Sequence, residues 1–224
     1  MLNVVSLRGS LFCAPIRYDR GLVSAFSEIL TDCVPVIVRD NVIPSWQLVS
    51  SNEKEILAFV GDKIDYVKKL EGELNSDILH DFCHRCQNIF GKIMEISKFP
   101  SMRIALAPSL LIADEKKLND KVFSIVKFED VDLATSNFSQ VYRIDKEICS
   151  KKISINFASN FRVEPEVVIV DGKNQLRDRY LGDFDINTAH NPNYRFGIDD
   201  IKEFFQLSSE WFLDFYRLYF SEEI

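Results

Sequence analysis

The sequence predicts an α+β protein whose antiparallel sheets form two topologically similar halves, each packed by a long amphipathic helix. Two long segments, 76–97 and 198–220, place apolar residues at helical spacing, which predicts two helices docked on a core. Elsewhere, short runs of alternating apolar and polar residues are separated by turn residues, which is typical of antiparallel strands. The order strand, short helix, strand meander, long helix occurs twice along the chain, which predicts the two halves.

The first half, residues 1–99, opens with a predicted strand over 3–16, which Pro15 would end because proline has no N–H for the ladder. A short helix is predicted over 21–31. The meander of this half is predicted at 34–38, 46–51, 56–61 and 63–69. Ser76 is a good N-cap for the long helix that closes the half.

The second half, residues 100–224, opens with a predicted strand over 102–112, and a short helix is predicted over 115–126. The meander of this half is predicted at 138–144, 152–161, 166–170 and 175–187. The dipeptide Asp171-Gly172 predicts a hairpin turn between the last two of these strands.

The C-terminal helix should begin near Asp199 and Asp200, because the exposed amides of a first helical turn favour carboxylates. We expect the boundary between the halves at residues 99–101, unless the two halves pack as one compact unit.

Composition disfavours several classes of function. The chain of 224 residues has 27 basic and 34 acidic residues and a net charge of −7, which opposes nonspecific attraction to a phosphate backbone. The apolar runs are too short for a membrane helix, and no signal peptide is evident. The five cysteines lie mostly in apolar runs, which suits a reducing cytosol. We therefore expect a cytoplasmic protein without a membrane segment.

One local cluster of arginines leaves nucleic-acid binding as an alternative function. The cluster would consist of Arg17, Arg20, Arg177 and Arg179. Binding through it should depend steeply on salt concentration.

The stretch HDFCHRC contains potential zinc ligands. On a helix only His80, Cys83 and His84 could converge on one ion, because Cys86 points well away from His80. The alternative is that the cysteines are buried and the histidines face solvent, which is favoured because free cysteine is among the most buried residue types. His190 is the one histidine left to complete a metal site.

Asp171 and Lys173 follow an apolar run and have the Asp-x-Lys spacing of a metal-dependent nuclease. The acids that could complete such a site are Glu164, Glu166 and Asp145. The competing interpretation is a plain hairpin turn, because Asp-Gly is favoured there for backbone reasons alone.

Asp183 and Asp185 alternate with Phe184 and Ile186, so both carboxylates should share the polar face of one strand. Two acids at this spacing can bind a cation or perform acid–base chemistry, with a third acid from the loop at residues 114–115. The alternative is that the two acids simply lie on the solvent-exposed face of an edge strand.

Glycine-rich phosphate loops and a nucleophile elbow do not occur in the sequence, and only three histidines are present. The sequence therefore predicts no cofactor, and it favours a noncatalytic protein over an enzyme.

The C-terminal helix has more apolar surface than one-sided docking needs. Leu207, Trp211 and Leu218 flank its main apolar stripe and widen the apolar arc to roughly half the circumference. Either strands from both halves bury these side chains, or they form a surface for a partner protein.

Four stretches carry a resemblance to a known family. They are APIRY near the start, SWQLVSSNEKEILAFVGDKIDYV, SMRIALAPSLLI and YLGDFDINT. With the order of elements, they resemble a sporadically distributed family of uncharacterised bacterial proteins. The resemblance implies a mobile gene of the kind carried beside phage-defence or toxin and immunity genes, and it implies no catalytic residue.

We therefore expect an accessory, sensor or immunity component that binds another protein, such as one encoded in the same operon. The competing expectation is a metal-dependent nuclease or other hydrolase that uses Asp171, Lys173, Asp183 or Asp185.

Overall fold

The structure, a computed structural model, contains one antiparallel sheet with α-helices on one face. It describes residues 2–14, 16, 20–30, 32–38, 45–70, 72–112, 137–170 and 172–220. Within these residues the sheet has nine strands. The strands are β1 (Leu2–Phe12), β2 (Cys33–Val38), β3 (Ser45–Ser50), β4 (Glu55–Val60), β5 (Lys63–Lys69), β6 (Arg103–Ile112), β7 (Asn137–Ile148), β8 (Lys151–Val170) and β9 (Lys173–Thr188). The helices are α1 (Arg20–Ser27), α2 (Ser76–Ser97) and α3 (Ile198–Tyr219).

The strand order is β2-β3-β4-β5-β1-β6-β9-β8-β7. The first strands of the two predicted halves, β1 and β6, pair antiparallel in the middle of the sheet. The mixed α and β content and the antiparallel pairing that the sequence predicted are thus confirmed. The prediction of more than one sheet is wrong, because the β1–β6 pair joins all the strands into one sheet. The domain boundary near residues 99–101 stays a prediction.

Most predicted elements agree with the structure to within a few residues, and two differ. Strand β1 ends at Phe12 rather than at 16. Strand β8 is continuous through Pro165, where two separate strands were predicted. Pro165 lies beyond the part of β8 that pairs with β7, which ends at Arg162, so its missing N–H need not remove a bond to that strand. The short helix predicted over 115–126 lies outside the described residues.

The two long helices run antiparallel on the same face of the sheet. Both helices pack tightly on Gly9 of β1, since a Cβ there would lie 2.6 Å from the Cys86 Sγ and 3.3 Å from the Phe205 ring. Cys86 is on α2 and Phe205 on α3, so both helices meet over the central strand. A side chain at position 9 would push the helices off the sheet.

The start of α3 is tied to the turn between β7 and β8. Asp200 accepts hydrogen bonds from the Gly197 N–H at 2.8 Å and from the Lys151 Nζ at 2.7 Å. Glu203 accepts from the Cys149 N–H at 2.6 Å. The acidic first turn that the sequence predicted is present, and its carboxylates also fix how α3 lies relative to β7 and β8.

Candidate protein-binding groove

Strand β7 extends past the edge of the helix layer. It is the last strand on its side of the sheet. Tyr142 and Ile144 lie opposite the buried Phe157 and Ile155 of β8, so they point to the helix-covered face. They are nevertheless 44% and 50% exposed. The helix layer therefore covers the apolar face of β7 only in part.

Helix α3 supplies the opposite wall of a groove along β7. Its residues Trp211, Phe215 and Leu218 face Tyr142 and Ile144 across a cavity of about 330 Å³. Leu218 is 70% exposed. We call this cavity the β7–α3 groove. Its lining is mostly apolar, which is typical of sites that bind apolar groups.

Ring contacts hold the groove in shape. Phe157, at its floor, packs edge-on against Phe215 with centroids 5.4 Å apart and against Trp211 at 6.4 Å. Tyr142 meets Phe215 edge-on at 6.1 Å. Such edge-to-face pairs have preferred geometries and together stabilise one arrangement of the rings.

The hydroxyl of Tyr219 connects α3 to the two outer strands. It donates a hydrogen bond to the Gln140 Oε1 at 3.0 Å and hydrogen-bonds with the Ser159 Oγ at 2.8 Å. Burial raises the pKa of Tyr219 to about 12, so the hydroxyl remains protonated at neutral pH. These bonds set the spacing between α3 and β7, and hence the width of the groove.

Charged groups lie at the rim of the groove. The Lys146 Nζ lies 5.7 Å from the centroid of the Trp211 ring. Arg143 donates from Nε to the Asn156 Oδ1 at 2.8 Å. Asp214 pairs with Arg217 at 3.1 Å within α3. Lys146 therefore places a positive charge beside the apolar floor, whereas the Arg143 guanidinium bonds to Asn156 on the opposite face of β7.

The structure brings two of the three predicted partner-binding residues to this groove. Trp211 and Leu218 line it, whereas Leu207 is half-buried and is not among the lining residues. Sequence reasoning missed Tyr142 and Ile144. Their exposure depends on β7 being an edge strand, and strand order is not visible in local pattern.

The predicted zinc ligands lie at a second groove, between α2 and α3, with a volume of about 420 Å³. His80 and His84 are exposed, whereas the Cys83 thiol is buried 3.9 Å from the Ser208 Oγ. Burial raises the pKa of Cys83 to about 12, which disfavours the thiolate that zinc requires. Among the described residues, no three His, Cys, Asp or Glu side chains are placed to hold a metal ion.

Lys173, one of the candidates for nuclease chemistry, lies far from the Asp183 and Asp185 pair. Lys173 begins β9 at the hairpin tip, and Asp171 lies outside the described residues. Asp183 is ten residues further along the same strand, which corresponds to about 33 Å. The acids that could complete the Asp-x-Lys site are all in ion pairs: Glu164 with Arg162, Glu166 with Arg179 and Asp145 with Lys152.

Asp183 and Asp185 share the helix-free face of the sheet, as the sequence predicted. They line a polar cavity of about 410 Å³ with Ser109, Asn160 and Arg8. Asp183 accepts a hydrogen bond from the Ser109 Oγ at 2.7 Å and pairs with Arg162. The Oδ1 of Asp185 is buried without a hydrogen-bond partner among the described residues. The loop at residues 114–115 lies outside the described residues, so the third acid stays a prediction.

The predicted arginine cluster is not assembled in the described part of the chain. Arg20 begins α1, which packs Phe26 on β3 and β4. Arg177 and Arg179 lie on β9, four strands away from β4. Arg17 lies outside the described residues.

A scan against models of protein families found no match, and a search of curated proteins found none either. None of the described helices is both long and apolar enough to cross a membrane.

Proposed function

We propose that this chain is a noncatalytic protein-binding module that holds an apolar segment of a partner protein in the β7–α3 groove. The observation that carries the proposal is the exposure of apolar side chains from two elements around one concave surface. Exposed apolar surface of this kind often marks an interface, and tryptophan is enriched among the residues that dominate binding.

Trp211 is the expected anchor of the interface. It is half-buried against Phe157 and Phe204, so its ring is already oriented before a partner arrives. A preorganised aromatic ring loses little conformational entropy on binding. The Lys146 ammonium beside it favours a partner segment that carries a carboxylate next to its apolar residues.

The biological setting is proposed from the family resemblance. It supports a cytoplasmic accessory, sensor or immunity component of a bacterial defence or toxin system. It also supports a partner encoded by a neighbouring gene.

We also propose that the two halves are topological repeats. In the first half, β1 pairs with β5, the last strand of its meander, and α2 follows. In the second half, β6 pairs with β9, the last strand of its meander, and α3 follows. The antiparallel β1–β6 pair at the centre supports an approximate two-fold relation between the halves.

Two exposed leucines provide a matched test of the proposed function. Leu218 lies in the groove and is 70% exposed, while Leu176 lies on the β8–β9 hairpin and is 77% exposed. The chain would be co-expressed with its neighbouring genes and purified as wild type, Leu218→Asp or Leu176→Asp. We expect a stoichiometric complex that Leu218→Asp abolishes and Leu176→Asp retains. A complex that survives Leu218→Asp, or purified protein that retains nucleic acid or a divalent metal instead of a protein, contradicts the proposal.

A further inference from the structure

Among the described residues, no strand pairs with the outer edge of β7. Residues 141–145 are all exposed, with Val141 64% and Ile144 50% accessible. The opposite edge strand, β2, contains Pro35, which cannot donate a ladder hydrogen bond. The span Asn137–Ile148 contains no proline. Every residue of β7 therefore has both a backbone donor and an acceptor.

The sequence of β7 is complementary to itself about Ile144. If a second β7 lies antiparallel with Ile144 opposite its own copy, Arg143 lies opposite Asp145 on both sides of the centre. Tyr142 then lies opposite Lys146, where an ammonium can approach the ring. Opposite charges across a ladder stabilise the pair of strands.

The neighbouring registers lack this match. Residues directly opposite each other in the ladder must have side chains on the same face of the sheet. The two-fold axis of the dimer therefore lies at a residue that faces its own copy and not between two residues. Centring the pair on Arg143, Asp145 or Lys146 sets a charge opposite its own copy, which destabilises the ladder. A pair of strands centred on Tyr142 places no oppositely charged residues across from each other.

We propose that two copies of this chain associate through β7, antiparallel and centred on Ile144, so that one sheet continues across both copies. Both α3 helices then lie on the same face of that sheet. The two β7–α3 grooves lie side by side, with Tyr142 and Ile144 of both copies between them. The dimer goes beyond the proposed function, since it names a second copy as the occupant of the open edge and leaves Trp211 and Leu218 to another protein.

Disulfide trapping tests the register. In this dimer the two Ile144 Cα atoms lie about 4.5–5.5 Å apart, which a disulfide can bridge. The two Tyr142 Cα atoms are offset by four residues along the strands and lie about 14 Å apart, which a disulfide cannot bridge. Ile144→Cys should therefore form a covalent dimer under mild oxidation, whereas wild type and Tyr142→Cys should not. The wild type controls for the five native cysteines.

Charge reversal tests the complementarity. Arg143→Asp sets Asp opposite Asp145 at two places, and Asp145→Arg sets Arg opposite Arg143 at two places. Each single variant should weaken self-association roughly tenfold or more, measured by sedimentation equilibrium. The double variant restores opposite charges and should restore the dimer. A denaturation curve of each variant establishes that it is folded.

The results separate the dimer from the proposed function. A wild-type protein that remains monomeric at every concentration overturns the dimer, and so does a dimer that the single charge reversals leave unchanged. Loss of the partner complex in Leu218→Asp, together with a monomeric wild type, overturns the dimer and leaves the proposed function in place. A wild-type dimer whose partner complex survives Leu218→Asp supports the dimer and overturns the proposed function.

Discussion

The ammonium of Lys146 lies 5.7 Å from the ring centroid of Trp211. Lys146 is on the edge strand β7 and Trp211 is on α3, so this contact spans the β7–α3 groove. It keeps a positive charge beside the largest ring of the groove. The contact joins the two elements that the proposed function depends on, and it shows that the rim charge and the apolar lining belong to one surface.

Replacement of apolar residues in the groove should separate binding from stability. Leu218 is largely exposed, so Leu218→Asp should change the free energy of unfolding by less than about 0.5 kcal/mol. Phe215, one turn earlier, is 4% exposed and packs on Phe157 and Phe184. Phe215→Ala should cost about 3–5 kcal/mol. Urea denaturation of both variants checks this, and a large loss in Leu218→Asp would mean that the groove is part of the core.

Tyr219→Phe should widen or loosen the groove without unfolding the protein. The substitution removes the hydroxyl that bonds to Gln140 and Ser159 and leaves those two groups short of a partner. We expect a loss of about 1–2 kcal/mol in stability and weaker partner binding. The measurements are urea denaturation and the Kd for the partner, with Tyr180→Phe, outside the groove, as the control. Unchanged binding would show that this hydroxyl does not position α3 for its partner.

Replacing each of two glycines by alanine should change the stability of the protein in opposite directions. At Gly9 a Cβ would meet the Cys86 Sγ at 2.6 Å, so Gly9→Ala should destabilise the protein by about 1–3 kcal/mol. At Gly91, inside α2, a Cβ would meet nothing closer than 3.8 Å. Gly91→Ala should stabilise by about 0.5–1 kcal/mol because glycine is a poor helix former. Thermal denaturation of both variants tests this, and a tolerated Gly9→Ala would contradict the close packing of α2 and α3 over β1.

Stability should fall at alkaline pH partly through Cys83. Burial raises the pKa of its thiol from the ordinary value of 9.0 to about 12, so the folded thiol keeps its proton where the unfolded thiol loses it. The contribution to stability is fully present below pH 9 and is lost as the pH rises from about 9 towards 12. Cys83→Ala should show a shallower decline over this window. An identical decline in both proteins would show that the thiol does not contribute.

Helical periodicity was enough to find α2 and α3 in the sequence. Their apolar faces continue over many turns, so local pattern determines both position and orientation. The same reasoning placed Trp211 and Leu218 beside the main apolar stripe of α3, and their role in binding a partner stays a prediction. It also placed Asp183 and Asp185 on a shared face, because the alternation of a strand is a local property.

The remaining features depend on contacts between distant residues. The sheet is continuous because β1 pairs with β6, and nothing in either strand indicates that partner. Tyr142 and Ile144 are exposed because β7 is at the edge, which depends on the whole strand order. Separate strands were predicted at 152–161 and 166–170, but β8 continues through Pro165, beyond the point where its pairing with β7 has ended. Such facts follow from strand order, which local composition does not determine.

Site-specific photo-crosslinking tests the central claim most directly. A photoreactive phenylalanine analogue would replace Tyr142 in the groove or, as the control, Leu176 on the hairpin, and cells would be irradiated with the neighbouring genes expressed. We expect an adduct with another protein from position 142, lost when Leu218→Asp is added, and no such adduct from position 176. Adducts of equal yield from both positions, or an adduct at 142 that persists with Leu218→Asp, would contradict a partner-binding role for the β7–α3 groove.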